Sequence, residues 1–312
     1  MTQAVTPTAD TVRRLVRSLL PDGGGPRIAP VTGDAEHVTW FVGARHVLRL
    51  APDREAARRQ RRELRLRDLV RPHLAVAVPV SIAHGEWASG LTYTLDTLIP
   101  GEGGGNGAGG GPGAPQGVSA VGEADLAGLL TGLREVPARQ AEALGVPRAA
   151  PRSLEALRAT AERAAAQLAK ADEFDPARLH QLTAAAAAQL APQPGAAFLV
   201  HHGLADERLV VSADGRVRGV VGWADAVAGD PTEDIAGLAL AVGAPAAVRA
   251  ATLAGYGARP CLRGLWLARC DALVRLAQRL RHHDEGRLVA LRAQLVRSWE
   301  PILLERVTDE TE

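Results

Sequence analysis

The stretch Gly101 to Gly117, GEGGGNGAGGGPGAPQG, divides the chain more sharply than any other feature. Glycine loses more backbone freedom on folding than any other residue, and this tract has no large apolar side chain to offset that loss. A compact fold must therefore assemble from what lies on either side. Before the tract, apolar residues mostly alternate; after it, they mostly recur every three to four positions. The tract is not a phosphate-binding loop. It lacks GKS or GKT, and the only lysine of the chain is Lys170.

Residues 1–100 read as a small α+β lobe. Thr8 to Leu20 carries Val12, Leu15, Val16, Leu19 and Leu20 at helical spacing and ends at the breaker PDGGGP. RIAPV, HVTWFV and RHVLRL are strand candidates, the last two joined into a hairpin by the tight turn VGAR. Asp53 opens a helix, DREAARRQRRELRLRDLVR, whose arginine density reads as a solvated face. VAVPVSIAHG and LTYTLDTLIPG add two strands. The expectation is a five-strand meander with one helix inserted after the third strand.

Residues 101–118 read as a flexible linker, and 119–312 as a larger helical lobe. EADLAGLLTGLREV, SLEALRATAERAAAQLAKA and PARLHQLTAAAAAQLA are helix candidates, followed by Pro231 to Val242, Pro245 to Tyr256, Leu262 to Arg281 and Glu285 to Trp299. Set among them is Phe198 to Pro231, FLVHHGLADERLVVSADGRVRGVVGWADAVAGDP. It reads strand, turn, strand, Asp-Gly turn, strand, loop.

Composition excludes several function classes. The 36 basic and 35 acidic residues leave a net charge of +1, so no global field draws nucleic acid or an anionic membrane. No run of about 18 apolar residues is present, and the first residues lack a signal-peptide core. Cys261 and Cys270 fit neither a zinc site nor a disulfide framework, which points to a reducing cytoplasm. His201-His202 and His282-His283 are adjacent pairs whose side chains diverge, so neither chelates readily. Trp266 and Trp299 read as core. Asn106 is the only asparagine and lies in the glycine tract, so a mechanism needing asparagine in a folded site is ruled out.

Several motifs in one order carry a resemblance. HVLRLAPDREAARRQRRELRL, YTLDTLIPGE, LAGLLTGLREVPARQAEALGVP and GVVGWADAVAGDPTEDIAGL resemble, in turn, four elements of the aminoglycoside/macrolide phosphotransferases. These are the third strand with its helix, the interlobe hinge, the "LHxVP" helix and the "GVIDWxDAxxGDPxxDLA" segment. Arg134 stands where the LHxVP histidine is usual. VLRL and LGVP bring the macrolide branch nearest. The resemblance implies a two-lobed, protein-kinase-like fold, with a small antiparallel-sheet N-lobe and a helical C-lobe. It also implies ATP or GTP as the phosphoryl donor, with magnesium.

The same resemblance implies that the chemistry is lost. Phosphoryl transfer needs positioning and charge stabilisation, which the family draws from an Asp base and an Asn and Asp that hold metal. Without gaps, LVHHGLADERLVV puts His201 on the motif histidine, Gly203 on the base and Arg208 on the metal asparagine. A one-residue gap restores His202-Gly203 as the "HG" pair, and the base is then missing. VVGW puts Gly222 on the metal aspartate. Asp230 and Asp234 match GDPxxDLA, where Asp234 braces the loop. Arg49 falls where kinases place a nucleotide-gripping cation, with Glu63 as its helix partner; a plain Arg–Glu pair is the bland alternative. Asp206 and Asp225 are substitute carboxylates, or simply a turn residue and a cap. Arg208 either swings to solvent or pairs with Glu207, or supplies the positive charge that magnesium supplies elsewhere.

The expectation is a pseudokinase-like protein that binds a small molecule or nucleotide between the lobes, with a protein partner as a further role. It expects weak magnesium binding at best. The alternative is an active O-phosphotransferase for a macrolide, an aminoglycoside or another hydroxylated molecule, working through relocated carboxylates.

Overall fold

A computed structural model describes residues 7–21, 25–31, 38–103, 117–192, 195, 197–205, 208–281 and 288–303. Asn106, Asp206, Glu207, His282 and His283 lie outside the described residues.

The first part is a five-stranded antiparallel sheet with helices on it. Helix α1 (Ala9–Leu19) is capped by the Thr8 hydroxyl, which accepts from Thr11 N. Val12 and Val16 are its buried stripe. Strands β1 (Ile28–Pro30), β2 (Val38–Val42) and β3 (His46–Leu50) pair in sequence order. The chain then crosses the sheet as α2 (Arg54–Val70), started by Asp53, whose carboxylate accepts from Ala56 N. β4 (Ser81–Ala88) and β5 (Leu91–Thr97) complete the sheet in the order β1-β2-β3-β5-β4. The expected meander is thus corrected. The crossover by α2 brings the chain back at the far edge, and the β4–β5 hairpin folds inward, so β5 meets β3 and β4 is left outermost.

The second part is mainly helical. The short strand β6 (Glu102–Gly103) leads to α3 (Ala120–Glu135), α4 (Ala138–Ala143) and α5 (Leu154–Lys170). The single helix expected over Pro176 to Ala191 is instead a 3-10 segment, Pro176–Gln181, followed by α6 (Ala184–Gln189). Two starts compete there. Asp175 caps the first at Ala177 N, Thr183 caps the second at Ala186 N, and Arg158 Nε donates to Leu182 O at the break.

The remaining elements build the site and its support. They are β7 (Phe198–Val200), β8 (Leu209–Val211), β9 (Val217–Val220), β10 (Val227–Gly229), α7 (Thr232–Val242), α8 (Ala244–Leu253), α9 (Ala258–Arg281) and α10 (Leu288–Ser298). α9 is the central pillar, packed against α5, α7 and α10. Its Cys261, Trp266 and Cys270 are buried. Trp299 is buried as well, with Arg178 and Arg269 at 5.2 and 5.3 Å from its ring centre.

The two parts are tied at defined points. Arg62 on α2 donates to Ala224 O at 2.6 Å and to Gly145 O at 3.3 Å. Ala77 exchanges backbone hydrogen bonds with Arg218 and Val220. These links seat α2 against the turn that follows β9.

Candidate functional site

The N-lobe side of the site is a buried charge network. Alternation along β3 and β5 puts Arg49 and Asp96 on the face that α2 covers. Arg49 Nη1 lies 3.1 Å from Glu63 Oε2, and Arg49 Nε donates to Asp96 Oδ2 at 3.2 Å. Arg67, one turn after Glu63, reaches Asp96 with Nη1 at 3.1 Å and Nη2 at 3.3 Å. The Glu63, Arg67 and Asp96 side chains are almost wholly buried; Arg49 keeps 15% of its side chain exposed. Two cations and two anions cancel in charge, the condition under which ionised groups survive burial. Sequence reasoning paired Arg49 with Glu63 and missed Arg67 and Asp96. A lone acid inside LTYTLDT and the Glu63-to-Arg67 spacing of four were the available signals.

The loop after β7 is held from below. Asp234, in the first turn of α7, accepts from His201 N at 2.8 Å and from His202 N at 2.9 Å. That grip fixes His202 in the left-handed region, φ 61°, which non-glycine residues seldom occupy. The His201 ring is fully buried, edge-on to Trp223 at 4.6 Å, and its Nε2 donates to Val221 O at 3.1 Å. Burial, reinforced by the Arg208 charge, pushes its pKa down to about 3. Burial pushes the Asp234 carboxyl up to about 7, against the pull of its two N–H donors. The Glu63 charge also acts on His201, so α2 and this loop share one electrostatic environment.

Hairpin register brings Arg208 and Gly222 together. β8 and β9 pair through Leu209 with Val220, and Val221 N donates to Arg208 O at 2.9 Å. The turn at Asp214-Gly215, with Gly215 at φ 74°, sets this register. Gly222 follows in the left-handed conformation, φ 80°. A Cβ on Gly222 would fall 1.7 Å from Arg208 Nη1 and 2.6 Å from its Cζ. The guanidinium therefore fills the space that a side chain at position 222 would use. Arg208 Nη2 lies 3.5 Å from Asp225 Oδ2, both half-exposed. So Arg208 neither swings wholly to solvent nor leaves Asp225 alone. Gly203 differs: a Cβ there would meet the His201 ring only at 3.7 Å, ordinary contact.

Asp230 turns away from this space. It accepts from Thr232 N and Thr232 Oγ1 and pairs with buried Arg263 at 2.8 Å. Arg134 donates to Ala254 O and lies over the Tyr256 ring at 4.9 Å.

With this geometry, the profile described as "Phosphotransferase enzyme family" matches residues 27–265, most of the chain. The chain belongs to the phosphotransferase enzyme family. No curated protein matches it. Among solved structures, the GDP complex of wild-type aminoglycoside 2'-phosphotransferase-IIIa is similar, with TM-score 0.66 and 16% identity. That match covers 94% of this chain and 98% of the other. Macrolide 2'-phosphotransferase MphH from Brachybacterium faecium, an apoenzyme, is similar with TM-score 0.58 and 21% identity, over 90% and 97% of the two chains. Macrolide 2'-phosphotransferase type I follows at TM-score 0.59 and 19% identity, over 95% and 99%. These likenesses establish the two-lobed, kinase-like fold.

Magnesium does not fit the residues of this family member at the two positions the motifs align with its ligands. Gly222 offers no side chain, and Arg208 brings a positive charge into the same space. Two unit charges 4 Å apart interact with about 4 kcal/mol at an effective dielectric near 20, and a divalent ion would feel about twice that repulsion.

Proposed function

We propose that this phosphotransferase-family protein binds a nucleotide or another phosphate-bearing small molecule between its lobes and does not transfer the phosphoryl group. One observation carries the reading: the Arg208 guanidinium occupies the space above Gly222. A planar cation with several donors suits phosphate oxygens. Arg208 would thus provide in protein form the charge that a metal provides elsewhere. Arg49, braced by Glu63, is the candidate second contact on the N-lobe side; Asp234 would hold the loop in shape. We read 1–100 and 119–312 as the two lobes and 101–118 as their linker, in a cytoplasmic protein with a protein partner as a further role. No described helix is long and apolar enough to cross a membrane.

Calorimetry with ATP and with GTP, each with magnesium and with EDTA, tests the reading. Binding should be insensitive to EDTA and lost in Arg208→Ala. Binding that requires magnesium, or no binding of either nucleotide, overturns it.

A second reading rests on Asp225, whose half-exposed carboxylate lies beside Arg208. In that reading the protein is an O-phosphotransferase in which Asp225, with Asp206, stands in for the missing carboxylates. Radiolabelled transfer from ATP to macrolide and aminoglycoside alcohols, abolished by Asp225→Ala, would establish it in place of the first.

A further inference from the structure

The outer side of α2 faces a different surface from the network beneath it. Between α2 and the outermost strand β4 runs a groove of about 670 Å³. Arg58, Arg61, Arg65 and Arg71 line it, with Arg67 also on its wall, and Asp68 is its only acid. Asp68 is already taken by Arg71 at 2.8 Å. Arg58, Arg61 and Arg65 are exposed, and their guanidinium groups have no hydrogen-bond or ion-pair partner among the described residues. They follow one another at three and four positions, so they form a single stripe. Like charges at that spacing repel, and an anion seated between them relieves the repulsion.

The opposite wall selects the kind of anion. β4 is an edge strand, so part of its backbone hydrogen-bonding capacity faces away from β5. Val80, 43% exposed, lines the groove with Leu64, Ser81 and His84, and Ile82 on β4 is 46% exposed. A strand edge with apolar side chains next to a cationic stripe complements an extended peptide that alternates acidic and apolar residues. A duplex nucleic acid would match the arginines alone and leave the edge and the apolar residues unused.

We propose that the α2–β4 groove docks an acidic peptide segment of a partner protein, added as a strand to β4 with its carboxylates on Arg58, Arg61 and Arg65. This surface is separate from the Arg208 site and stands whether or not that site binds nucleotide.

Fluorescence anisotropy at neutral pH with a labelled ten-residue peptide alternating glutamate and valine tests the proposal, full-length protein being titrated in. Expected is saturable binding that weakens as salt rises. The lysine–valine counterpart should not bind, and a version with prolines in place of alternate valines should bind several-fold more weakly. Arg58→Glu/Arg61→Glu/Arg65→Glu should weaken binding by about tenfold or more, with the melting temperature held. Arg58→Gln/Arg65→Gln serves if the triple reversal fails to fold, with a smaller loss in the same direction. Absence of saturable binding overturns the proposal. So does an affinity that neither set of variants changes, or equal binding of the proline peptide. Binding of a labelled DNA duplex with the glutamate peptide silent would also overturn it, in favour of a nucleic-acid surface.

Discussion

Arg208 and Gly222 form a steric pair. The guanidinium lies where a side chain on residue 222 would have to go. Gly222→Asp alone should therefore destabilise the protein by about 1–3 kcal/mol, through overpacking and a left-handed backbone that aspartate tolerates less well than glycine. Adding Arg208→Asn should recover part of that loss, and a double-mutant cycle in urea should give a coupling of about 0.5–3 kcal/mol. Additive effects would mean that the two residues do not share the space. His201 and Asp234 couple in a different way. Between about pH 4 and 6.5 the folded chain keeps His201 neutral and Asp234 protonated, whereas the unfolded chain holds the proton on histidine instead. The proton counts match, so this pair contributes little pH dependence in that window. Asp234→Asn leaves the depressed histidine, whose stability is present above pH 6.5 and lost on acidification. His201→Asn leaves the raised carboxyl, whose stability is present below about pH 4 and lost as pH rises toward 7. Melts of the two variants should show pH slopes of opposite sign, each up to about 1.4 kcal/mol per unit.

At the scale of elements, α2 presents a buried charged face and an exposed arginine stripe. Its seven arginines read from sequence as a solvated face, and for Arg58, Arg61 and Arg65 the structure agrees. Arg67 departs from it most, buried against Asp96 and beside Glu63, and half-buried Arg62 reaches Ala224 O across the molecule. Arg67→Ala would leave two buried carboxylates, Glu63 and Asp96, sharing Arg49 alone, and should cost about 3 kcal/mol or more in urea denaturation. Arg65→Ala should stay within about 0.5 kcal/mol of the parent. Equal effects would contradict the division of the helix into two faces. Most elements were legible from local signals: the caps Thr8 and Asp53, the period-two strands and the Asp214-Gly215 turn. Two were not. The helix expected from Pro176 onward splits, because Thr183 caps a second start that alanine-rich periodicity conceals. β4 sits at the edge, because strand order is settled by where the α2 crossover returns the chain.

Across the whole molecule, the family fold is kept, and the proposed reading places Gly203, Arg208 and Gly222 at its chemical positions. Asp234 grips the loop, Arg263 anchors Asp230, and Arg62 ties α2 to the turn after Gly222. On the proposed reading, a scaffold held in this way should accept metal ligands at those positions. In Gly203→Asp/Arg208→Asn/Gly222→Asp, magnesium should tighten ATP binding by about tenfold or more relative to EDTA, since oxygen ligands replace an arginine in the same space. Calorimetry of this variant beside the parent checks it; metal-insensitive binding in the variant would show that more than these three positions has diverged. The open contact of a Cβ at Gly203 favours its tolerance of aspartate.

The sequence by itself determined most element types and the order of motifs that marks the family. Those are local or ordered properties, written in periodicity, caps and spacing. The tertiary structure alone decided that Arg208 fills the space over Gly222, that Arg67 and Asp96 close the charge network, and that β4 lies open beside a stripe of arginines. Each of these depends on residues far apart in sequence that meet only through strand register and helix packing, where a shift of one residue would turn every side chain to the other face.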